Sequence, residues 1–278
     1  MKVKVSVAMR PSPRKLVAVA VTLATTSSLL LGLASSSGAT PAGAPPAAAL
    51  PAAPVLAAAA AVTRPRLYRE TVRYGARDLS PYQISHVYEV QIRLTWAGAY
   101  SGPITGYFGP LTLAGVRRFQ RSQHLQPNGV VDATTWPRLI RVSTTRRGGD
   151  RRLPSVCRSA GWHTCYSRPT HELFTFHDGL WWNVWLVRGG SYLLQTVRGT
   201  YRVYWQDIDH RSMLFNGAPM PYSQFFYGGE AVHGSATMVN PLVGHSHGCI
   251  NMYIEDSAEL WRLTAGRRHV VTVFGAWA

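Results

Sequence analysis

Acidic residues are scarce in this sequence. Its 278 residues include 13 Asp and Glu against 29 Lys and Arg, which gives a formal net charge of +16 at pH 7. Charged residues make up only 15% of the chain and hydrophobic residues 46%, which excludes a globally disordered protein. A chain of this length can form one or two packed domains, and we expect two.

Cysteine is also rare, with three residues in all. Cys157 and Cys165 lie eight residues apart in a loop-like stretch, a spacing that could close a small disulfide in an oxidising compartment. Cys249 is then left over. In an exported protein an unpaired thiol indicates an intermolecular bridge or a reactive group, and an inert buried cysteine is the alternative.

The first 40 residues are predicted to direct export. Five basic residues and no acidic residue lie within positions 1–15, and the apolar run 16–33 is followed by small residues at 34–39. This pattern is typical of a signal peptide, and an uncleaved anchor is the alternative, because 18 residues are near the minimum for a membrane span. Both alternatives place the remainder outside the cytoplasm, as a secreted or cell-wall protein.

The positive charge continues beyond the signal. The first 49 residues hold five basic and no acidic residues, so the remainder keeps a net charge of +11. Nucleic acid is the usual partner of such a charge, but an exported protein meets anionic wall polymers and lipid headgroups instead. The sequence therefore predicts no nucleic-acid partner.

Two stretches are predicted to connect domains. Residues 41–83 begin with a run of mostly Ala, Pro, Gly and Ser, which predicts a flexible tether that leads into an extended arm. Residues 142–167 include the basic, glycine-containing segment 146–152 and are expected to form a solvated linker. These stretches define domains at 84–141 and 168–278.

Residues 84–141 show the apolar spacing of short helices. Leu113, Val116 and Phe119 recur at intervals of three, a turn-rich segment at 102–110 precedes them, and residues 134–136 open a last helix. The region resembles the small three-helix peptidoglycan-binding domain found beside many wall hydrolases. The residues that carry the resemblance are Gly106, Tyr107, Phe108, Gly109, Thr112, Val116, Phe119, Gln120, Leu125, Gly129, Val130, Val131, Asp132, Thr135, Trp136 and Leu139.

That resemblance implies an all-α domain that binds the wall. A small helical bundle without a ligand is the alternative. Gly115 stands where the family prefers Ala, and Pro137 follows the tryptophan, so the last helix is expected to start late or to be short.

The second domain is predicted to be mainly antiparallel β with one short helix. Strands are predicted at 173–176, 180–187, 192–197, 200–205 and 269–274, with the dipeptides 178–179 and 189–190 as hairpin signals. The helix is predicted to start at the capping-box-like residues 256–259 and to stop at Gly266.

The most specific chemical signal is a histidine followed by a Ser-His-Gly-Cys motif. His233 precedes Ser246 and Cys249, and a nearby imidazole is the usual device for activating a thiol. Backbone amides of a glycine turn at Gly248 could bind the oxyanion of a tetrahedral intermediate. The residues alone indicate acyl transfer by a Cys-His pair and leave His233, His245 and His247 open as the base.

Two other chemistries compete with this interpretation. Alternating spacing along a strand would put His245, His247 and Cys249 on one side as metal ligands, although no further ligand cluster completes a tetrahedral shell. A papain-like wall peptidase would also use Cys and His, but there the cysteine precedes its histidine, whereas His233 precedes Cys249.

Residues 168–275 resemble the catalytic domain of L,D-transpeptidases, the YkuD type. The motif at 246–251 carries the resemblance, and residues 196–201 look like the segment that precedes it in the family, with Val197 in place of the usual proline. The 12 residues from His233 to Ser246 are a short spacing for the family. The resemblance implies these roles: nucleophile Cys249, general base His233, orienting group Gly234, oxyanion pocket Ser246, His247 and Gly248, and substrate contacts Asn251, Met220 and Tyr222.

The family resemblance also implies a mechanism and partners. A cysteine thioester would link two peptidoglycan stem peptides through their third residues, without a metal or other cofactor, and carbapenems would acylate the thiol. An L,D-carboxypeptidase and a non-catalytic wall-binding protein are the alternatives. A monomer is expected, since no coiled-coil pattern occurs.

Overall fold

The computed structural model describes residues 66–277. The predicted signal peptide and the tether up to residue 65 lie outside the described residues. The described residues belong to one compact unit. Within the described range, no helix has the length and apolar character needed to cross a bilayer.

The helical part comes first. It contains α1 (Val87–Trp96), α2 (Pro110–Ser122) and α3 (Thr135–Arg147). Pro110 opens α2, where its missing N–H costs no hydrogen bond, and Gly148 ends α3 in the left-handed conformation. The expected delay of the last helix does not occur, because Pro137 falls in its first turn, where proline is tolerated.

The β part contains nine strands in two sheets. The strands are β1 (Trp162–Ser167), β2 (Glu172–His177), β3 (Leu180–Leu186), β4 (Gly199–Arg202), β5 (Trp205–Ser212), β6 (Ala218–Tyr227), β7 (Glu230–Gly234), β8 (Ile250–Met252) and β9 (His269–Phe274). The sheet orders are β3-β2-β1-β9-β4 and β5-β6-β7-β8. Most pairs are antiparallel, as predicted, but β1 with β9 and β7 with β8 run parallel. One helix, α4 (Ile254–Thr264), follows β8.

Two turn predictions had different outcomes. Asp178 and Gly179 join β2 to β3 with φ of 49° and 78°, as a tight hairpin turn requires. Gly189 and Gly190 form no hairpin, and residues 192–197 form no strand. Instead, Gly190 pairs with Ser246, and a side chain at Gly190 would collide with the carbonyl of Leu194. Glycine at position 190 thus lets the backbone of Leu194 fold back closely against the residue that pairs with Ser246.

The predicted linker at 142–167 is wrong as a description of the structure. Its residues form the end of α3, a 3-10 turn at Ser155–Arg158 and all of β1. A disulfide joins Cys157 of this turn to Cys165 of β1. Strand β1 is buried along its whole length, so it lacks the polar-apolar alternation that identifies a half-exposed strand.

The two parts share one core. Trp136 and Leu139 of α3 and Val90 of α1 lie in the same buried cluster as Phe174 and Val184 of the sheet. The predicted arm also packs here, since Leu67 is buried and its N–H donates to the carbonyl of Trp182 over 2.8 Å. The helical part therefore covers one face of the five-stranded sheet.

Buried charges cross the same boundary. Glu89 of α1 is bound by Arg69 at 2.9 Å and by Arg93 at 2.7 Å, and the Arg93 guanidinium lies 3.6 Å from Glu172 of β2. Arg93 also donates to the carbonyl of Val184 over 2.9 Å. Because a buried charge is costly without partners, this network ties the helices to the sheet.

Candidate active site

A cleft of about 470 Å³ opens beside β7 and β8. Both members of the predicted pair, His233 and Cys249, line it, together with Ser246, His247, Asn251 and Met220. The segment between β5 and β6 contributes Leu214 and Phe215 to the opposite wall. The cleft is large enough for a peptide segment.

The register of two parallel strands places the pair. Val232 lies opposite Ile250 and His233 opposite Asn251, so Cys249, directly before β8, lies beside Ala231. Because successive side chains alternate between faces, Cys249, Asn251 and His233 share one face. Arg188 pairs with Asn251 through backbone hydrogen bonds of 2.8 and 2.9 Å. This pairing holds β8 on the side that faces away from β7.

The imidazole of His233 is held in one tautomer. Its Nδ1 lies 2.8 Å from the carbonyl oxygen of Gly234. A carbonyl oxygen only accepts, so Nδ1 carries the proton and Nε2 is left as the basic nitrogen. Burial lowers the pKa of His233 to about 4, with the Gly234 hydrogen bond acting in the opposite direction. The imidazole is therefore neutral, as a general base must be.

Burial disfavours ionisation of the Cys249 thiol. Burial raises its pKa to about 11; a hydrogen bond from the Ala231 amide opposes this shift, and the charge of Glu230 adds to it. Cys249 is the one free cysteine, because the other two are bonded to each other. The shifted pKa values thus favour a neutral thiol and a neutral imidazole in the cleft that both side chains line.

The Ser246 hydroxyl organises the turn before the nucleophile. It donates to the carbonyl of Cys249 and accepts the Gly248 N–H at 3.1 Å. Gly248 has a φ of 127°, which L side chains rarely adopt. The Gly248 amide, expected to face an oxyanion, is thus engaged within the turn in this structure.

The other predicted residues fall into two groups. Asn251 is buried and lines the cleft, its Nδ2 lies 3.5 Å from the Ser235 hydroxyl, and its Oδ1 has no hydrogen-bond partner among the described residues. His247 is exposed and stacks on Phe215 with ring centroids 4.6 Å apart. Tyr222 lies outside the cleft lining. It has a φ of 59°, and its ring lies 6.2 Å from that of Trp261 on α4.

The structure adds Glu230, a site residue that the sequence patterns missed. It is the first residue of β7, lines the cleft and accepts the Val197 N–H at 3.1 and 3.3 Å through its two oxygens. Burial raises its pKa to about 7, while the Val197 amide opposes the shift. Its position three residues before His233 was the available signal, but no motif assigns a role there.

The metal alternative finds no support in the placement of its residues. His245 lies near Trp277 and His247 stacks on Phe215, so they point to different neighbours. Among residues 66–277, His86, Glu89 and Asp256 are the three potential ligands that converge, within 4.8 Å. Both oxygens of Glu89 are already bound by arginines, so this group is an ion-pair cluster.

Comparison with known protein families finds a match for each part of the chain. Residues 163–272 match the family described as the L,D-transpeptidase catalytic domain, and residues 84–139 match the putative peptidoglycan binding domain. The first match covers the β part, and the second covers the helical part.

Individual proteins similar to this chain were also found. A structure of an L,D-transpeptidase from Stackebrandtia nassauensis is 22% identical over 77% of this chain and 98% of its own, with a TM-score of 0.45. One from Xylanimonas cellulosilytica is 23% identical over 74% and 98%, with a TM-score of 0.43. An uncharacterized protein of Kitasatospora aureofaciens is 52% identical over 42 residues, which are 15% of this chain and 36% of that protein. The match thus spans about a third of the length of this curated relative.

Proposed function

We propose that this protein is an exported L,D-transpeptidase that links peptidoglycan stem peptides through their third residues. The observation that carries the proposal is that Cys249 and His233 line one cleft, with the basic Nε2 of His233 left free by the bond to Gly234. A thiol and a neutral imidazole so placed support nucleophilic acyl transfer. The peptidoglycan-binding domain supports wall glycan as the scaffold that holds the enzyme near its substrate.

The first half of the reaction forms a thioester. His233 Nε2 takes the thiol proton as Cys249 Sγ attacks the carbonyl carbon of the third stem residue. The bond from this carbon to the nitrogen of the terminal D-alanine then breaks, and His233 returns the proton to the departing amine. Asn251 and Met220, which border the thiol in the cleft, would contact the donor stem.

The second half releases the enzyme. The amine of a neighbouring stem attacks the thioester carbonyl, an amide forms and the Cys249 thiol is regenerated. If water attacks instead, the product is a shortened stem, and the protein is an L,D-carboxypeptidase. The reacting groups are the same in both outcomes, so the acceptor decides between them.

Acylation by a carbapenem tests the shared first half. Intact-protein mass measurement is expected to show one adduct on the wild-type chain and none on Cys249→Ala. His233→Gln should acylate about 100 to 10,000 times more slowly, the usual cost of removing a general base. His124→Asn, a change of an exposed histidine in the helical part, is the control and should behave as wild type. An adduct that persists in Cys249→Ala, or none in wild type, would reject the acyl-enzyme and favour a non-catalytic wall-binding protein.

A further inference from the structure

One carboxylate lines the cleft. Among the residues of 66–277 that line it, Glu230 is the one acidic residue, and none is a lysine or arginine. No ion pair within residues 66–277 includes Glu230, whose hydrogen-bond partner there is the Val197 amide. A half-buried carboxylate without a countercharge favours a cationic group of the substrate.

This carboxylate borders the nucleophile. A Cβ built on Gly248, the residue before Cys249, would lie 3.1 Å from Glu230 Oε1. The negative charge makes the thiol harder to ionise, since it raises the pKa of Cys249. Glu230 therefore hinders formation of the thioester. A residue that hinders one step at a functional site is expected to assist another step.

The proton balance of the second half supplies such a role. The acceptor is an ammonium ion at neutral pH, because a primary amine of this kind has a pKa of about 10. It must lose two protons to become an amide nitrogen. One proton passes through His233 to the departing Cys249 sulfur, which leaves as a thiol. The other needs a second acceptor close to the thioester.

We propose that Glu230 binds the ammonium group of the acceptor stem and removes its first proton. This role rests on the proposed transpeptidase function. The carboxylate takes the proton, the neutral amine attacks the thioester carbon, the carbon–sulfur bond breaks, and Glu230 later releases the proton to water. Its pKa of about 7 suits a base that must accept and release a proton near neutrality.

The competing reaction with water separates this role from a structural one. Water arrives neutral and needs no ammonium site, so loss of the Glu230 charge should impair attack by amine far more than attack by water. The ratio of cross-linked to hydrolysed product at fixed acceptor concentration therefore reports on Glu230, whatever the rate of the first half.

The experiment compares full-chain wild type, Glu230→Gln, Glu230→Asp and Asp209→Asn. The donor is a tetrapeptide stem whose side-chain amine is acetylated, and the acceptor is a tripeptide stem with a free amine and no D-alanine to lose. Asp209 is exposed on β5 and does not line the cleft, so its variant removes a charge from the same domain. Carbapenem acylation of each variant checks that the site has formed.

At pH 7 the ratio of cross-linked to hydrolysed product should fall at least tenfold in Glu230→Gln and should stay at the wild-type value in Asp209→Asn. Glu230→Asp should recover part of the loss. In a His233→Gln background, where only preformed thiolate reacts, adding Glu230→Gln should shift the rise of carbapenem acylation to lower pH, because removing the negative charge lowers the pKa of Cys249.

An unchanged ratio in Glu230→Gln would overturn the role of Glu230 and leave the transpeptidase intact. A defect that appears only with a donor carrying a free amine would assign the ammonium to the donor and would also overturn it. Absence of any Cys249-dependent product in wild type would instead reject the proposed function, and this role with it.

Discussion

His233 donates from Nδ1 to the carbonyl oxygen of Gly234, its neighbour in the chain, over 2.8 Å. The position of that carbonyl is fixed by α4, because a Cβ at residue 234 would lie 2.6 Å from the Ser257 hydroxyl and 3.2 Å from the Cα of Ile254. Glycine is thus required here for close packing, and the packing sets the orientation of the base.

Gly234→Ala should therefore misplace the imidazole of His233 and slow the reaction, although His233 itself is unchanged. We expect carbapenem acylation to slow by about 100-fold, the cost of misplacing a catalytic group by about 1 Å. Ser257→Ala alone should change little, and the double variant should recover part of the loss because its hydroxyl conflict is removed. Stopped-flow acylation rates test this, and a wild-type rate in Gly234→Ala would contradict the packing argument.

The pH profile of acylation follows from the two shifted pKa values. His233 stays neutral above about pH 4, and the thiol stays protonated below about pH 11. The productive thiol–imidazole pair thus persists between these limits. Once Glu230, whose own pKa is about 7, is replaced by Gln, the rate should form a broad plateau without an inflection near pH 6.5. In His233→Gln only preformed thiolate reacts, so the rate should rise about tenfold per pH unit toward pH 11. An inflection near 6.5 that persists in Glu230→Gln would show that the imidazole is not desolvated.

The buried ion network predicts a large stability effect far from the cleft. Glu89→Gln removes the countercharge that Arg69 and Arg93 share and should lower the free energy of unfolding by about 3–5 kcal/mol. Glu259→Gln removes a partner of the more exposed Arg262 and should cost about 1 kcal/mol or less. Urea unfolding measures both, and equal effects would contradict the role given to the network.

The sign of the pH dependence provides a second check on Glu89. Its pKa is lowered to about 2, despite burial, by Arg69 and then Arg93, while the ordinary value is 4.5. Its contribution is therefore present above pH 4.5 and is lost as the pH falls toward 2. The stability difference between wild type and Glu89→Gln should shrink over that interval, and a difference that grows on acidification would reject the assignment.

Wall attachment should depend partly on charge. Arg151 and Arg152 are exposed beyond α3, and their replacement by alanine should reduce sedimentation with isolated wall at low salt. The difference should vanish near 1 M salt, where screening acts within about 3 Å. Replacement by lysine keeps the charge and is the control. A loss of the same size with lysine would point to specific contacts of the guanidinium groups instead.

The shared core limits one simple experiment. Deleting residues 84–141 would uncover Phe174, Phe176 and Val184, which are buried against the helices. Each such side chain contributes about 1.5–3 kcal/mol through burial. A deletion would therefore confound wall binding with unfolding, and surface substitutions are the better test.

Features that depend on local sequence motifs could be predicted, and features that depend on long-range packing could not. The prediction that brought Cys249 and His233 to one site rested on a leftover thiol and on the order of a histidine and a Ser-His-Gly-Cys motif, and both residues line the cleft. The hairpin at 178–179 and the helices followed from local backbone preferences. These signals depend on nearby residues alone.

Features set by long-range contacts could not be predicted in this way. Strand β1 was missed because both its faces are buried, and Asp256, read as a helix cap, instead lies inside α4 with an oxygen 3.4 Å from His86. Tyr222 was placed in the cleft by position, but its backbone has a positive φ and its ring packs toward α4. Glu230 gained its significance only from the register of β7 beside β8.

Mass analysis of products from purified disaccharide-tetrapeptide tests the central claim most directly. The full chain and its Cys249→Ala variant are incubated with the substrate in parallel. A dimer joined through third residues, present with wild type and absent with the variant, is the result predicted for a transpeptidase. Free tripeptide alone would identify a carboxypeptidase, and the absence of any Cys249-dependent product would contradict the account.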